Sequence, residues 1–155
     1  MSGILCSIKT IILDVTPMKY YSHRGWRWHI RLLLSAPFIF APFPVILVLD
    51  AVIELYHHVS FSLYKIPCNK RNAYIIFDRV KLSYLPLHDK FFCLYCSYVN
   101  GVFAYWVKIA ADTEAYWCGI KHRQLQGYKE PEHHASFMEY GDEEAYRSRT
   151  GVKKN

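Results

Sequence analysis

The stretch Leu32–Ile53, LLLSAPFIFAPFPVILVLDAVI, decides how this chain is read, because it runs for twenty-two residues with a single charge, Asp50. A helix needs about 20 apolar residues to cross a bilayer, so the run is long enough to enter one. Pro37, Pro42 and Pro44 interrupt it. Each lacks a backbone N–H, and the pair around Phe43 is expected to break the helix into two arms, the second running from Val45 to about Tyr64. The segment therefore reads as an N-terminal membrane helix or, bent at the prolines, as a re-entrant helical hairpin.

Charge brackets this run. Arg24, Arg27 and Arg31 precede it, and Lys65, Lys70 and Arg71 follow it. Residues that flank a membrane segment with Lys and Arg stay on the cytoplasmic side, and a hairpin with both ends inside satisfies that rule where a single span violates it once. Trp26, Trp28, Tyr56 and Tyr64 stand where interfacial aromatics would, and His57 and His58 read as interfacial polar residues. The net charge of +6 is thus assigned to a lipid bilayer as partner, and nucleic acid is disfavoured because the cations flank an apolar segment rather than line a helix. The implied location is the inner, cytoplasmic membrane, with the remaining domain facing the cytoplasm. Five cysteines, an odd number with no signal-peptide pattern, point to reduced thiols.

Four regions follow: a basic N-terminal segment 1–31, a proline-broken membrane-inserted segment 32–64, a helical domain 65–125 and a polar tail 126–155. Tyr74–Phe77 and Val80–Leu85 alternate apolar and polar residues around Asp78-Arg79, which predicts a short β hairpin ended by Pro86. From Leu87 the pattern turns helical, interrupted at Asn100-Gly101. A second helical stretch is expected over 113–123, capped by Asp112 or Thr113, and a short tail helix over 142–149. The fold class is mainly α with a short β hairpin, a small helical domain clamped by metal behind the membrane segment.

The metal expectation rests on thiols. Cys93 and Cys96 form Cys-x-x-Cys, and Cys118 and His122 at i and i+4 share one face if they lie on a helix. Cys93, Cys96, Cys118 and His122 make a Cys₃His set suited to zinc, and soft thiolates also suit iron. A continuous helix through residues 100–122 would hold the two halves about 30 Å apart. One shared ion then requires a break near residues 111–113 or ligands from two chains. His133, His134 and Cys68 are reserve ligands for a missing position or a second site.

The segment Tyr74–His122 resembles an uncharacterised family of small bacterial membrane-associated proteins. The likeness rests on Asp78-Arg79 followed by Leu82, Tyr84 and Leu85, on Cys93-x-Tyr95-Cys96, on Asn100-Gly101, and on Thr113-Glu114-x-Tyr116-Trp117-Cys118-x-Ile120-Lys121-His122. Gly119 stands where that family favours proline and Lys108 where it favours an acid, which argues against a carboxylate-bridged di-iron site on this helix.

No Gly-rich phosphate loop, G-x-S-x-G elbow or H-E-x-x-H is present. The sequence therefore suggests a metal-binding accessory or interaction protein, with the bilayer and a larger membrane complex as partners. One alternative is a thiolate-iron electron carrier serving a membrane enzyme. Another is an interfacial enzyme in which His122, Glu114 and Asp78 supply acid or base and Arg79 and Lys121 bind an anionic lipid-linked substrate.

Overall fold

A computed structural model describes residues 25–151. Cys6, Arg24, most of the basic N-terminal segment and the side chain of Trp28 lie outside the described residues. The chain divides into two units, residues 1–45 and 46–155.

In the first unit, helix α1 (Trp26–Phe40) runs through Pro37 and ends where Ala41 N–H donates to Pro37 O at 2.8 Å. Pro42 cannot continue the ladder, since it has no N–H to give. Helix α2 (Phe43–Tyr64) starts directly after it, and Pro44 falls in the first turn, where no N–H is needed. The expected break is present. The helical stretch His29–Tyr64 is long and apolar enough to cross a membrane.

In the second unit α2 presents two unlike faces. Ile46, Asp50, His57 and Phe61, spaced for one stripe, are buried, whereas Val48, Val52, Leu55, Val59 and Leu63 on the other side are exposed. The buried stripe faces α3 (Leu87–Trp117), a 31-residue helix about 46 Å long. Asp50 meets Tyr98, His57 meets Tyr105 and Tyr64 meets Trp117. Both numbers rise together, so the helices run parallel and residues 65–86 carry the chain back between them. Phe61, Tyr105 and Ile109 centre the apolar core, with Ile53, Ile66, Tyr74 and Trp106 packed around them.

That return segment is where the expected β hairpin fails. No strand forms among the described residues, and the segment contains two short 3₁₀ helices, Arg71–Ala73 and Arg79–Lys81. Its N–H groups turn inward, Lys81 to Asp78 O at 3.0 Å and Leu82 to Arg79 O at 3.3 Å. A strand needs a partner ladder to satisfy its backbone, and this segment lies across α3 instead. Tyr74–Ile75 crosses at Gly101, where an added Cβ would stand 2.7 Å from Tyr74 O and 2.9 Å from the Ile75 Cα. The glycine is there for close approach, and α3 passes through Asn100-Gly101 without the expected interruption. Gly101→Ala should cost about 1–3 kcal/mol through overpacking against backbone; an unchanged urea midpoint would refute the tight crossing.

The second expected break is also absent. Asp112 and Thr113 do not cap a new helix. Asp112 pairs with Lys108 and accepts from Asn69 Nδ2 at 2.7 Å, and the Thr113 hydroxyl donates to Ile109 O and meets the Tyr56 hydroxyl, each at 2.8 Å. Tertiary contacts use the side chains that capping would have required. Helix α3 stops at Trp117, where Gly119 takes φ +60° and the N–H groups of Cys118 and Gly119 both reach Glu114 O. Beyond it, an isolated parallel bridge pairs Ile120 with Met138, a 3₁₀ helix covers Glu132–Ser136, and α4 (Glu143–Thr150) is capped by Asp142, which accepts from Ala145 N–H at 2.9 Å.

Candidate metal centre

The continuity of α3 decides the fate of the thiol site. Cys93, half-buried, and Cys96, exposed, lie in its N-terminal half, while Cys118 is exposed at its C-terminal cap. Twenty-two residues of helix separate Cys96 from Cys118, about 33 Å. Cys93, Cys96, Cys118 and His122 are therefore not brought together within one chain. Because α3 ends at Trp117, Cys118 and His122 also lose the helical i, i+4 face expected of them.

A different set converges at the same end of α3. Glu114 projects from its last turn, and the 3₁₀ helix after Pro131 brings His133 and His134 against it, so that ligand atoms of all three lie within 4.8 Å of one another. His133 Nε2 is 2.9 Å from Glu114 Oε2. His134 Nε2 is 3.2 Å from the other oxygen, Oε1, but off the direction of a hydrogen bond. His134 is 1% exposed and stacks on Phe137, with ring centres 4.7 Å apart; its Nδ1 is buried without a hydrogen bond, and its Nε2 has the Glu114 contact alone among the described residues. An unsatisfied buried polar atom costs about 1–3 kcal/mol, so the bare Nδ1 calls for an explanation. A cation between the carboxylate and the imidazoles supplies one. The His133 hydrogen bond, with a weaker contribution from the His134 contact and against the opposing effect of burial, holds the Glu114 carboxyl below its usual range.

A second triplet, Glu54, His57 and His58, also has ligand atoms within 4.8 Å, but its buried imidazole, His57, is already spent, and the exposed His58 turns its Nδ1 to Glu54 O at 2.9 Å. His57, expected at a membrane interface, is fully buried. Asn69 N–H donates to His57 Nε2 at 3.1 Å, which leaves the proton on Nδ1, 3.0 Å from the Tyr105 hydroxyl. Glu54 is engaged by Arg71 at 3.3 Å. An ion there would have to break bonds to Asn69, Tyr105 and Arg71, all outside the triplet, whereas one at Glu114 would displace only contacts among its own ligands, so the Glu54 triplet belongs to the packing of α2 on α3.

The other residues singled out by sequence do not assemble into a catalytic site. Asp78 and Arg79 line a cleft with Ser97, Asn100 and Gly101, and Gly101 lies thirteen helical residues, about 20 Å, from Glu114. Lys121 is held by Glu139 at 2.6 Å and Glu130 at 3.6 Å, and the Glu139 hydrogen bond raises its pKa. Cys68 is exposed on the return segment. Of the Cys₃His set, His122 packs against the new cluster, its ring centre 5.7 Å from that of His134, and Cys118 stands one turn beyond Glu114, while Cys93 and Cys96 are remote. The chain matches no known protein family, no curated protein and no solved structure.

Proposed function

We propose that this chain is a membrane-associated protein that holds a zinc or iron ion between Glu114, His133 and His134 and serves as an accessory or interaction subunit of a membrane system. The observation that carries the metal reading is His134, buried with its Nδ1 unbonded and its Nε2 3.2 Å from an oxygen of the Glu114 carboxylate, which also faces His133. Two imidazoles and one carboxylate are a donor set used by zinc and by ferrous iron. Thiolate-ligated iron loses support, because the cysteines stand apart, and with it the electron-carrier alternative. Elemental analysis of protein purified in detergent tests the proposal: one equivalent of zinc or iron is expected, and metal-free protein that also fails to take up either ion would end it.

The membrane reading is supported by the outer face of α2, where Val48, Leu55 and Leu63 are exposed at 67%, 67% and 73%. A bilayer suits this face better than a protein partner, because the cations Arg27 and Arg31 stand on one side of the apolar stretch and Lys65 and Lys70 on the other. Leu55→Asp with Leu63→Asp, both on the exposed face, should shift the protein from the membrane pellet toward the supernatant while leaving its helical circular dichroism intact. Unchanged pelleting in carbonate would leave α1 as the sole anchor. If both ends are cytoplasmic, reporter tags at Met1 and Asn155 will read the same side.

A further inference from the structure

We infer that His122 is the fourth ligand of the Glu114–His133–His134 centre and closes it into a tetrahedral zinc site; this rests on the metal reading above. The backbone places His122 there. Lys121 N–H donates to Met138 O and Met138 N–H to Gly119 O, both at 2.8 Å, so residues 119–121 are tied alongside the chain leaving the 3₁₀ helix of His133 and His134. The Lys121 ion pairs with Glu139 and Glu130 hold the same segment from the side-chain level.

Ring geometry agrees. With zinc–nitrogen bonds of about 2.0–2.1 Å, the centres of two imidazoles on one tetrahedral ion fall about 5 Å apart. The His122 and His134 centres are 5.7 Å apart and those of His133 and His134 4.6 Å apart. His122 is exposed and, among the described residues, touches its neighbours through ring packing, on His134 and edge-on to Tyr128 at 5.8 Å. His122 is not among the residues whose ligand atoms already lie within 4.8 Å of one another, so its ring must turn toward the ion, a side-chain movement, whereas Cys93 and Cys96 would need tens of ångströms.

Four protein ligands leave no open position. The ion is then a staple rather than a reaction centre, joining the end of α3, the 119–122 segment and the 131–137 segment, which share little apolar core. Zinc fits this role because it imposes no geometry of its own and is satisfied by four nitrogen and oxygen donors. Binding is coupled to the ordering of the two segments, so stripping the ion should loosen them while the α2–α3 pair stays folded.

The test uses the full chain in detergent, freed of metal by a chelator and titrated with zinc against a competing chromophoric chelator, then with cobalt(II) as a spectroscopic stand-in. Wild type should bind one equivalent and give the intense visible bands of tetrahedral cobalt. His122→Ala should still bind one equivalent, but at least tenfold more weakly, with bands dimmed as water enters the vacated position. His122→Cys should restore tetrahedral bands and add a thiolate charge-transfer band. If His122→Ala binds zinc and cobalt as wild type does while His133→Ala loses them, the fourth-ligand inference is overturned and the three-ligand centre stands. If His133→Ala is also indistinguishable from wild type, both fall.

Discussion

Glu114→Gln is expected to lower zinc affinity more than a hundredfold, and Cys96→Ser and Cys118→Ser to leave it unchanged. Structural zinc contributes about 10–16 kcal/mol of binding, so one of four ligands carries roughly 3 kcal/mol. The glutamine keeps the shape of the side chain and removes its charge, which separates ligation from packing. His134→Ala would lose metal too, but it also opens a cavity against Phe137, so Glu114→Gln and His133→Ala are the cleaner variants. The cysteine substitutions are the discriminating arm: the thiols lie on exposed or half-buried positions about 33 Å apart along one helix, and no ligand geometry joins them in a single chain. Loss of zinc in Cys96→Ser would refute this centre and revive a site shared between chains.

That contrast shows which parts of the site were legible in the sequence. His133-His134 stood out as a doublet and Glu114 as a candidate acid, yet nothing in the spacing joined them. Nineteen residues separate Glu114 from His133, and the chain returns only because Gly119 reverses it and Met138 pairs with the 119–121 backbone. Cys-x-x-Cys is the louder signal, since its two ligands are adjacent in sequence and need no tertiary information. It misleads here because helical continuity between residues 100 and 117 is set by contacts invisible in the pattern: backbone crossing at Gly101, and Asp112 and Thr113 recruited by Asn69 and Tyr56. Helical periodicity after Leu87 and the tail helix were both legible, since each follows from local preference. The alternation over residues 74–85 was legible too but not decisive, because a period of two marks a strand only when another strand is there to bond it.

The apolar run itself was read correctly for its hydropathy and its proline break, and incompletely for its polar residues. Asp50, Glu54 and His57 fall on one stripe of α2, and in an apolar context such a stripe signals a polar helix-helix contact as readily as an interface. Only the structure supplies the partner, a helix that begins at Leu87, more than twenty residues after α2 ends, and runs parallel to it.

The second large effect is expected at that contact. Asp50 is 5% exposed and receives two hydrogen bonds from Arg71, one from the Tyr98 hydroxyl at 2.7 Å and one from Trp106 Nε1 at 3.3 Å. Burial first, then the bond to Asp50, pushes the Tyr98 hydroxyl up to about 12, so it remains a donor at any working pH. Arg71→Ala strands the carboxylate next to Glu54 with no cation between them, and breaking a buried pair in this way costs about 3–5 kcal/mol; the partial exposure of Arg71 places the expected loss near the lower figure. Asp50→Leu removes the charge but leaves Tyr98 and Trp106 without an acceptor and Arg71 with Glu54 alone. The double variant Asp50→Leu/Arg71→Met should therefore be more stable than the sum of the single losses predicts, yet below wild type. A double-mutant cycle by urea unfolding in detergent reads the coupling directly, and an Arg71→Ala loss under about 0.5 kcal/mol would show the pair to be no more than a surface bridge. If the cycle returns the larger value, Asp50 owes its place in an apolar run to α3. On the proposed membrane reading, α2 would then enter the lipid by its outer face, with its charged stripe sealed against the domain proposed to carry the metal.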